Sequence, residues 1–180
     1  NLQNLQAAFT ACEIYNLNQK EVYQAASQFH GAAKRLELIY KSPKLIVYRD
    51  FAHAPSKLKA TLEAMRQRYP EKRILAVTEL HTYSSLNVEF LPNYYGSADK
   101  VDELIVFYDQ KALEIKSLKA PDNELIIKAF GFSKMKVLHD INQLLIEIKQ
   151  QLADFDLIIF AGSGHFGGLE LNEQLFDCKL

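Results

Sequence analysis

The chain has 180 residues, enough for one domain and a piece of a second, and its 48% apolar content excludes a disordered chain. With 21 Lys and Arg against 22 Asp and Glu the net charge is −1, without the basic excess that nucleic-acid binders carry. Two cysteines, Cys12 and Cys178, exclude a disulfide scaffold, and apolar runs such as Leu157–Ala161 are far too short to span a membrane. No apolar signal segment follows Asn1, so a soluble, cytoplasmic protein is expected.

Leu2, Leu5, Phe9 and Cys12 recur at helical steps from the first residue, Asn1, which reads as a fragment cut inside a helix. Asn18 with Glu21 resembles a capping box, and Val22, Ala25, Ala26 and Phe29 give the next helix one apolar side up to Gly31. Residues 35–40 carry a modest strand signal. Lys41-Ser42-Pro43 is the one plausible domain boundary.

Strands and helices alternate beyond it. Lys44–Tyr48 reads as a strand, and a helix starts at Pro55 with Leu58, Leu62 and Met65 as its buried stripe. Arg73–Thr78 and Val101–Tyr108 are strands, with a short helix near Val88–Tyr95 between them. Ala112–Ile115 and Leu125–Ala129 are short extended candidates. A long helix is predicted from a Ser133 cap through Leu138, Ile141, Leu145, Ile148 and Leu152. Asp156–Ala161 reads as a strand buried on both faces. The fold class is therefore α/β, a Rossmann-like open and mostly parallel sheet with helices on both faces, preceded by a short helical tail.

In such a sheet ligands bind beyond the carboxyl ends of the strands. Three polar loops leave those ends, at residues 50–55, 79–87 and 162–168, carrying His53, His81 and His165 respectively. Residues 162–167 spell G-x-G-x-x-G after a strand, but only 13 residues follow Gly167, too few for the helix, strand and acid of a dinucleotide site. The turn is read either as a plain glycine turn or as N–H groups facing an anionic or carbonyl-rich ligand. The three histidines could form a zinc centre, although no pair has a close ligand spacing. Neither a G-x-S-x-G elbow nor a G-x-x-x-x-G-K-[ST] phosphate loop is present in the chain.

Four segments resemble those of one family. Residues 29–37, Phe-His-Gly-Ala-Ala-Lys-Arg-Leu-Glu, are similar to the F-x-G-v-x-R-R-x-E segment of the Mur ligases. Asp50-Phe51-Ala52-His53-Ala54-Pro55 resembles their D-[YF]-[AG]-H-x-P loop, and Asn1 and Asn4 resemble the end of their H-N-x-x-N helix start. Residues 161–169 resemble the closing glycine-rich turn of the murein peptide ligases within that family.

The resemblance implies the last part of a three-domain enzyme, with residues 1–40 the tail of a central ATPase domain and residues 41–180 a C-terminal domain. ATP and Mg2+ would be held mainly by the central domain, and the partners would be UDP-N-acetylmuramate, a short peptide and the rest of the polypeptide. No nucleic acid or membrane is implied. ATP would convert a muramyl carboxylate to an acyl phosphate that the peptide amine then attacks. The fragment alone would be inactive.

By that carry-over Asn1, Asn4, Arg35, Asp50 and His53 would face the nucleotide. Arg35 would offer a planar cation to phosphate, and Asp50 an acceptor to ribose hydroxyls. His81, Ser84, Ser85, Gly164, His165 and Gly167 would face the peptide. The chain departs from the pattern at Ala54, at Ala33-Lys34, and at residues 79–85, which replace the E-P-R-S-x-T loop of many murein peptide ligases. Within the family the alternative is a ligase that adds L-alanine to UDP-N-acetylmuramate, and outside it a metal-dependent hydrolase built on His53, His81 and His165 or a non-catalytic binding domain.

Overall fold

The computed structural model describes residues 2–28, 34–115 and 119–176. The chain divides into two compact units, residues 1–33 and 34–180.

The first unit is a helical pair, α1 (Leu2–Ile14) and α2 (Gln19–Ser27). Asn18 caps α2 as its position predicts, its Oδ1 accepting the Lys20 and Glu21 N–H groups at 2.9 and 3.4 Å. Phe9 and Tyr23 meet edge to face with ring centroids 4.8 Å apart. Two short helices bury little, and Ile14, Tyr15, Leu17 and Tyr23 all stay exposed.

In the second unit, β1 (Glu37–Lys41) runs antiparallel to β2 (Ile46–Asp50). The turn between them is Lys41-Ser42-Pro43-Lys44, tightened by a Ser42 hydroxyl that accepts the Lys44 and Leu45 N–H groups. The break expected as a domain boundary at Lys41–Pro43 is thus a hairpin turn inside one sheet. The division between units lies ahead of it, at residues 33 and 34.

Next come α3 (Pro55–Arg68), β3 (Ile74–Glu79), a 3-10 turn (Leu91–Tyr94) and β4 (Glu103–Phe107). They are followed by α4 (Gln110–Ile115), α5 (Asn123–Phe130), β5 (Met135–Leu138) and α6 (Ile141–Gln151). The described part closes with β6 (Leu157–Ala161), a 3-10 turn (Phe166–Gly168) and α7 (Glu173–Phe176). The six strands lie in the order β1-β2-β6-β3-β4-β5, all parallel except β1.

Alternation along each strand splits the core in two. Ile46, Tyr48, Ile74, Ala76, Leu157 and Ile159 pack with Leu58, Leu62 and Met65 of α3 and with Ile126 and Phe130 of α5. Val47, Leu75, Val77, Ile158 and Phe160 face the other way, onto Leu144 and Ile148 of α6, Leu152 just after it, and Phe166. Helices cover both faces, the α/β arrangement the alternating pattern implies. Every residue of β3 and β6 is buried, because both are central strands.

Three local expectations are corrected. Ala112–Ile115 and Leu125–Ala129 are helical. Asp109 Oδ1 accepts the Lys111 N–H at the start of α4, and Asp122 Oδ1 accepts the Glu124 N–H at the start of α5. α5 ends at Gly131 with φ 62°. The helix predicted from Ser133 begins only at Ile141, because Asp140 supplies the cap to Asn142 and Gln143 at 2.9 and 3.1 Å. Residues 135–138 instead pair with β4, Met135 and Val137 packing inward on either side of an exposed Lys136.

Candidate functional site

The carboxyl ends of β2, β6 and β3 lie side by side: Asp50 is level with Ala161, and Ala161 with Thr78. The Gly162 N–H donates to the Asp50 carbonyl at 3.0 Å, and the Leu80 N–H to the Phe107 carbonyl at 2.8 Å. These bonds carry the sheet one residue past its strands and release three loops at one edge, the three expected from the sequence. Because side chains alternate, Asp50 turns toward α3 while Arg49 and Glu79 turn toward the glycine-rich turn.

Asp50 is a two-sided clamp. Its Oδ1 accepts the Leu36 N–H at 3.0 Å and its Oδ2 the Thr61 hydroxyl of α3 at 2.6 Å. Lys34 and Leu36 both have positive φ, 59° and 51°, a conformation disfavoured for side-chain-bearing residues. Two carboxylates hold this bent entry, since Glu37 Oε2 also accepts the Lys34 N–H at 2.9 Å. Arg35 lies between those two anchored residues and is exposed. Its segment is fixed beside the end of β2 while its side chain faces outward.

His53 is half-buried, with Nδ1 3.1 Å from the Phe51 carbonyl oxygen and its ring edge-on to Phe51. The Tyr94 hydroxyl donates to the His53 carbonyl at 2.7 Å, pinning this loop to the 3-10 turn. Burial pushes the Tyr94 phenol up to about 12. Asn4 is exposed on α1, in the separate first unit, and Asn1 lies outside the described residues, as do His30 and Gly31.

The loop after β3 is held by its own side chains. Ser85 is buried; its hydroxyl donates to the Thr82 carbonyl at 2.8 Å and accepts the Thr82 N–H at 3.0 Å. The hydroxyl expected to face a ligand shapes the loop instead. Ser84 is exposed, its Oγ 3.1 Å from that of Thr82. His81 is half-exposed, with Nδ1 3.7 Å from Glu79 Oε1.

Under the glycine-rich turn sits a residue the sequence reading passed over. Glu79 is 2% exposed, and a Cβ built on Gly164 would run into its carboxyl group. Gly164 is therefore glycine because Glu79 fills the space beneath it. Gly167 has φ 67° and lies against Phe107 and Ile141, so it too serves the turn's own packing. Both glycines thus have a steric reason within the turn itself. His165 alone of the three candidates on the turn is exposed.

From the opposite side Arg49 Nη2 donates to the Gly164 carbonyl at 3.3 Å. Burial pushes the Glu79 carboxyl up to about 7; the Phe166 N–H opposes this, Asp109 adds to it, and Arg49 and the Gly164 N–H oppose it further. Glu79 Oε2, Arg49 Nε and Ser163 Oγ are buried without a hydrogen-bond partner. A signal for Glu79 was present: it continues the alternation of Leu75 and Val77 toward the α6 face, so a carboxylate at that position must enter the interior.

The three histidines do not converge: among the described residues no group of three His, Cys, Asp or Glu is placed to hold a metal ion. The zinc-centre reading is set aside on that arrangement. Among the described residues no helix is long and apolar enough to cross a membrane.

Residues 34–164 match the family model described as Mur ligase, glutamate ligase domain. A UDP-N-acetylmuramate–L-alanine ligase of Cytophaga hutchinsonii is 29% identical over 166 residues, covering 91% of this chain and 34% of that protein. The chain thus spans about a third of the length of such curated relatives. Two crystal structures share the fold. The UDP-N-acetylmuramate–alanine ligase of Thermotoga maritima has a TM-score of 0.71 at 16% identity, covering 91% of this chain and 34% of that one. A murein peptide ligase of Psychrobacter arcticus has a TM-score of 0.69 at 21% identity, covering 99% and 37%.

Proposed function

The chain belongs to the Mur ligase family, and from that premise we propose that it is the C-terminal part of an ATP-dependent ligase that acylates the amine of L-Ala-γ-D-Glu-meso-diaminopimelate with UDP-N-acetylmuramate. ATP would convert the muramyl carboxylate to an acyl phosphate with release of ADP. The alanyl amine would then attack the carbonyl carbon, phosphate would leave, and an amide would remain. Both nucleotides are cytoplasmic metabolites, so the reaction would run there.

The observation that carries this reading is the clamp at Asp50. By tying Leu36 to the end of β2 it stations an exposed Arg35 beside the loop of His53. A fixed planar cation of that kind suits phosphate oxygens. Asp50 retains acceptor capacity toward a ribose hydroxyl, since each carboxylate oxygen has a second lone pair. His53 belongs with them on the nucleotide side of the proposal, and Asn1 and Asn4 are assigned to the nucleotide by the family resemblance alone. ATP and Mg2+ would be held mainly by the preceding domain.

An acyl phosphate survives only where water is excluded, which gives a separate closing domain its purpose. His81, Ser84 and His165 present hydrogen-bonding groups on two loops of the same edge, a spread that suits a peptide better than one small amino acid. The second reading, transfer to L-alanine, is favoured by the 29% identical Cytophaga relative, an L-alanine ligase.

The test is ADP release by the intact protein with UDP-N-acetylmuramate and Mg-ATP, with the tripeptide in one reaction and L-alanine in another. Turnover with the tripeptide alone is the expected result. Turnover with alanine alone selects the second reading, and none with either overturns both.

A further inference from the structure

Three buried polar atoms at the carboxyl ends of β2, β6 and β3 have no partner while the glycine-rich turn is down: Glu79 Oε2, Arg49 Nε and Ser163 Oγ. Elsewhere in folded proteins such atoms are nearly always satisfied, so a cluster of three around one turn marks a conformation held at a cost. The turn is gripped from two sides. Gly164 lies directly on the Glu79 carboxyl group, leaving no room for a Cβ, while Arg49 Nη2 holds the Gly164 carbonyl at 3.3 Å.

We propose that Glu79 is the positioning residue of this turn: with its carboxyl group protonated the turn lies closed over it, and ionisation of that group releases the turn. A neutral carboxyl is tolerated under Gly164, whereas a buried carboxylate with one oxygen unpartnered is not. The charged and titratable groups facing it are Arg49 from β2, His81 in its own loop at 3.7 Å, and Asp109 after β4. Arg49 favours the ion and Asp109 disfavours it; the N–H groups of Phe166 and Gly164 favour it as well. Burial outweighs them, and the group titrates at about 7 in the closed form. If the open form titrates at the ordinary 4.5, the balance between closed and open changes by about 300-fold from acid to alkaline conditions.

The proposal deepens the reading above, since this turn borders the edge assigned to the amine substrate. A turn released near neutral pH would admit that substrate and reclose as a proton returns to Glu79. Glu79 thus acts through the turn, without bonding to the reacting atoms.

Hydrogen exchange of residues 162–168 in the intact protein tests it, with the intrinsic pH dependence of exchange divided out. Between pH 6 and pH 8 the wild type should open about tenfold more, and Glu79→Gln, which stays neutral, should remain flat. A flat wild type, or a Glu79→Gln variant with the same rise, overturns the proposal. The KM for the amine, measured for both proteins across the same range, should diverge as Glu79 ionises while kcat stays comparable. Parallel KM profiles would also overturn it. If neither amine supports ADP release yet the exchange step is present in wild type and absent in Glu79→Gln, the latch stands and the substrate reading falls. If turnover is found and the step is missing, the reverse holds.

Discussion

At the amino end of β3, Arg66 donates to the Lys100, Pro70 and Lys72 carbonyls and, at 2.7 Å, to Asp102, whose same oxygen accepts the Ile74 N–H at 2.7 Å. Asp156 accepts the Arg73 N–H at 2.8 Å beside it. At the carboxyl end of the same strand, Glu79 and the neighbouring Arg49 of β2 each keep an unpartnered buried atom. The titrations part accordingly. Partial burial works against ionisation of Asp102, but the Ile74 N–H and then Arg66 outweigh it and hold the carboxyl below its ordinary value. Burial wins at Glu79 and lifts it to about 7. One end of the strand is finished as structure; the other is left in a state that something else can complete.

The sharpest way to break this comparison is Gly164→Ala. A methyl group there must displace the end of the Glu79 side chain, and overpacking of this kind costs about 1–3 kcal/mol, readable as a lower denaturation midpoint. Adding Glu79→Ala should recover most of the loss. If the double variant is no more stable than Gly164→Ala, the two residues are not coupled.

The opposite titrations should appear in the pH dependence of stability. Glu79 has a raised folded pKa, so its contribution is full below about 4.5 and is lost as pH rises through about 7. Glu79→Gln should therefore be more stable than wild type at pH 8 by roughly 3 kcal/mol, with a flatter profile between pH 5 and 8. Asp102 has a lowered folded pKa, so its contribution is present above 3.8 and is lost as pH falls below that. Asp102→Ala should cost about 2 kcal/mol at pH 7 and less in acid, because the Ile74 N–H and Arg66 lose their acceptor. A Glu79→Gln profile parallel to wild type would remove the contrast between the two ends.

Smaller effects test the edge itself. Arg35→Ala should leave the midpoint unchanged, since its side chain is exposed, and lower turnover of the intact enzyme by about tenfold if it meets phosphate. An unchanged rate removes it from the nucleotide side. Ser85→Ala should cost about 1 kcal/mol through the Thr82 bonds without altering the KM for the amine. A KM effect without a stability effect would return Ser85 to the substrate side.

Much of the frame was legible. Leu58, Leu62 and Met65 at helical spacing behind Pro55 fixed α3, and the unbroken apolar run before Gly162 marked a central strand. Both signals are local, because an apolar stripe needs only one face to be buried. The errors fell where two local preferences competed. In residues 133–141, Ser133 and Asp140 are both capable caps, and only pairing with β4 decides between them. At residues 125–129 the apolar run suits either period, and the docking of Ile126 and Phe130 against the α3 face selects the helix.

The sequence by itself determined the class of fold, the edge at which loops gather and the family, because alternation, turn residues and short motifs are properties of neighbours along the chain. The tertiary structure alone decided which of those loop residues face outward. Asp50 is bound to Leu36 and Thr61, Ser85 is turned into its own loop, and Gly164 is small because of Glu79, 85 residues earlier. Such assignments depend on groups brought together by the sheet order, with β6 inserted between β2 and β3. No spacing along the chain records that insertion: the alternation of Leu75, Val77 and Glu79 sends the carboxyl group inward, and only the sheet order sets it beneath the turn.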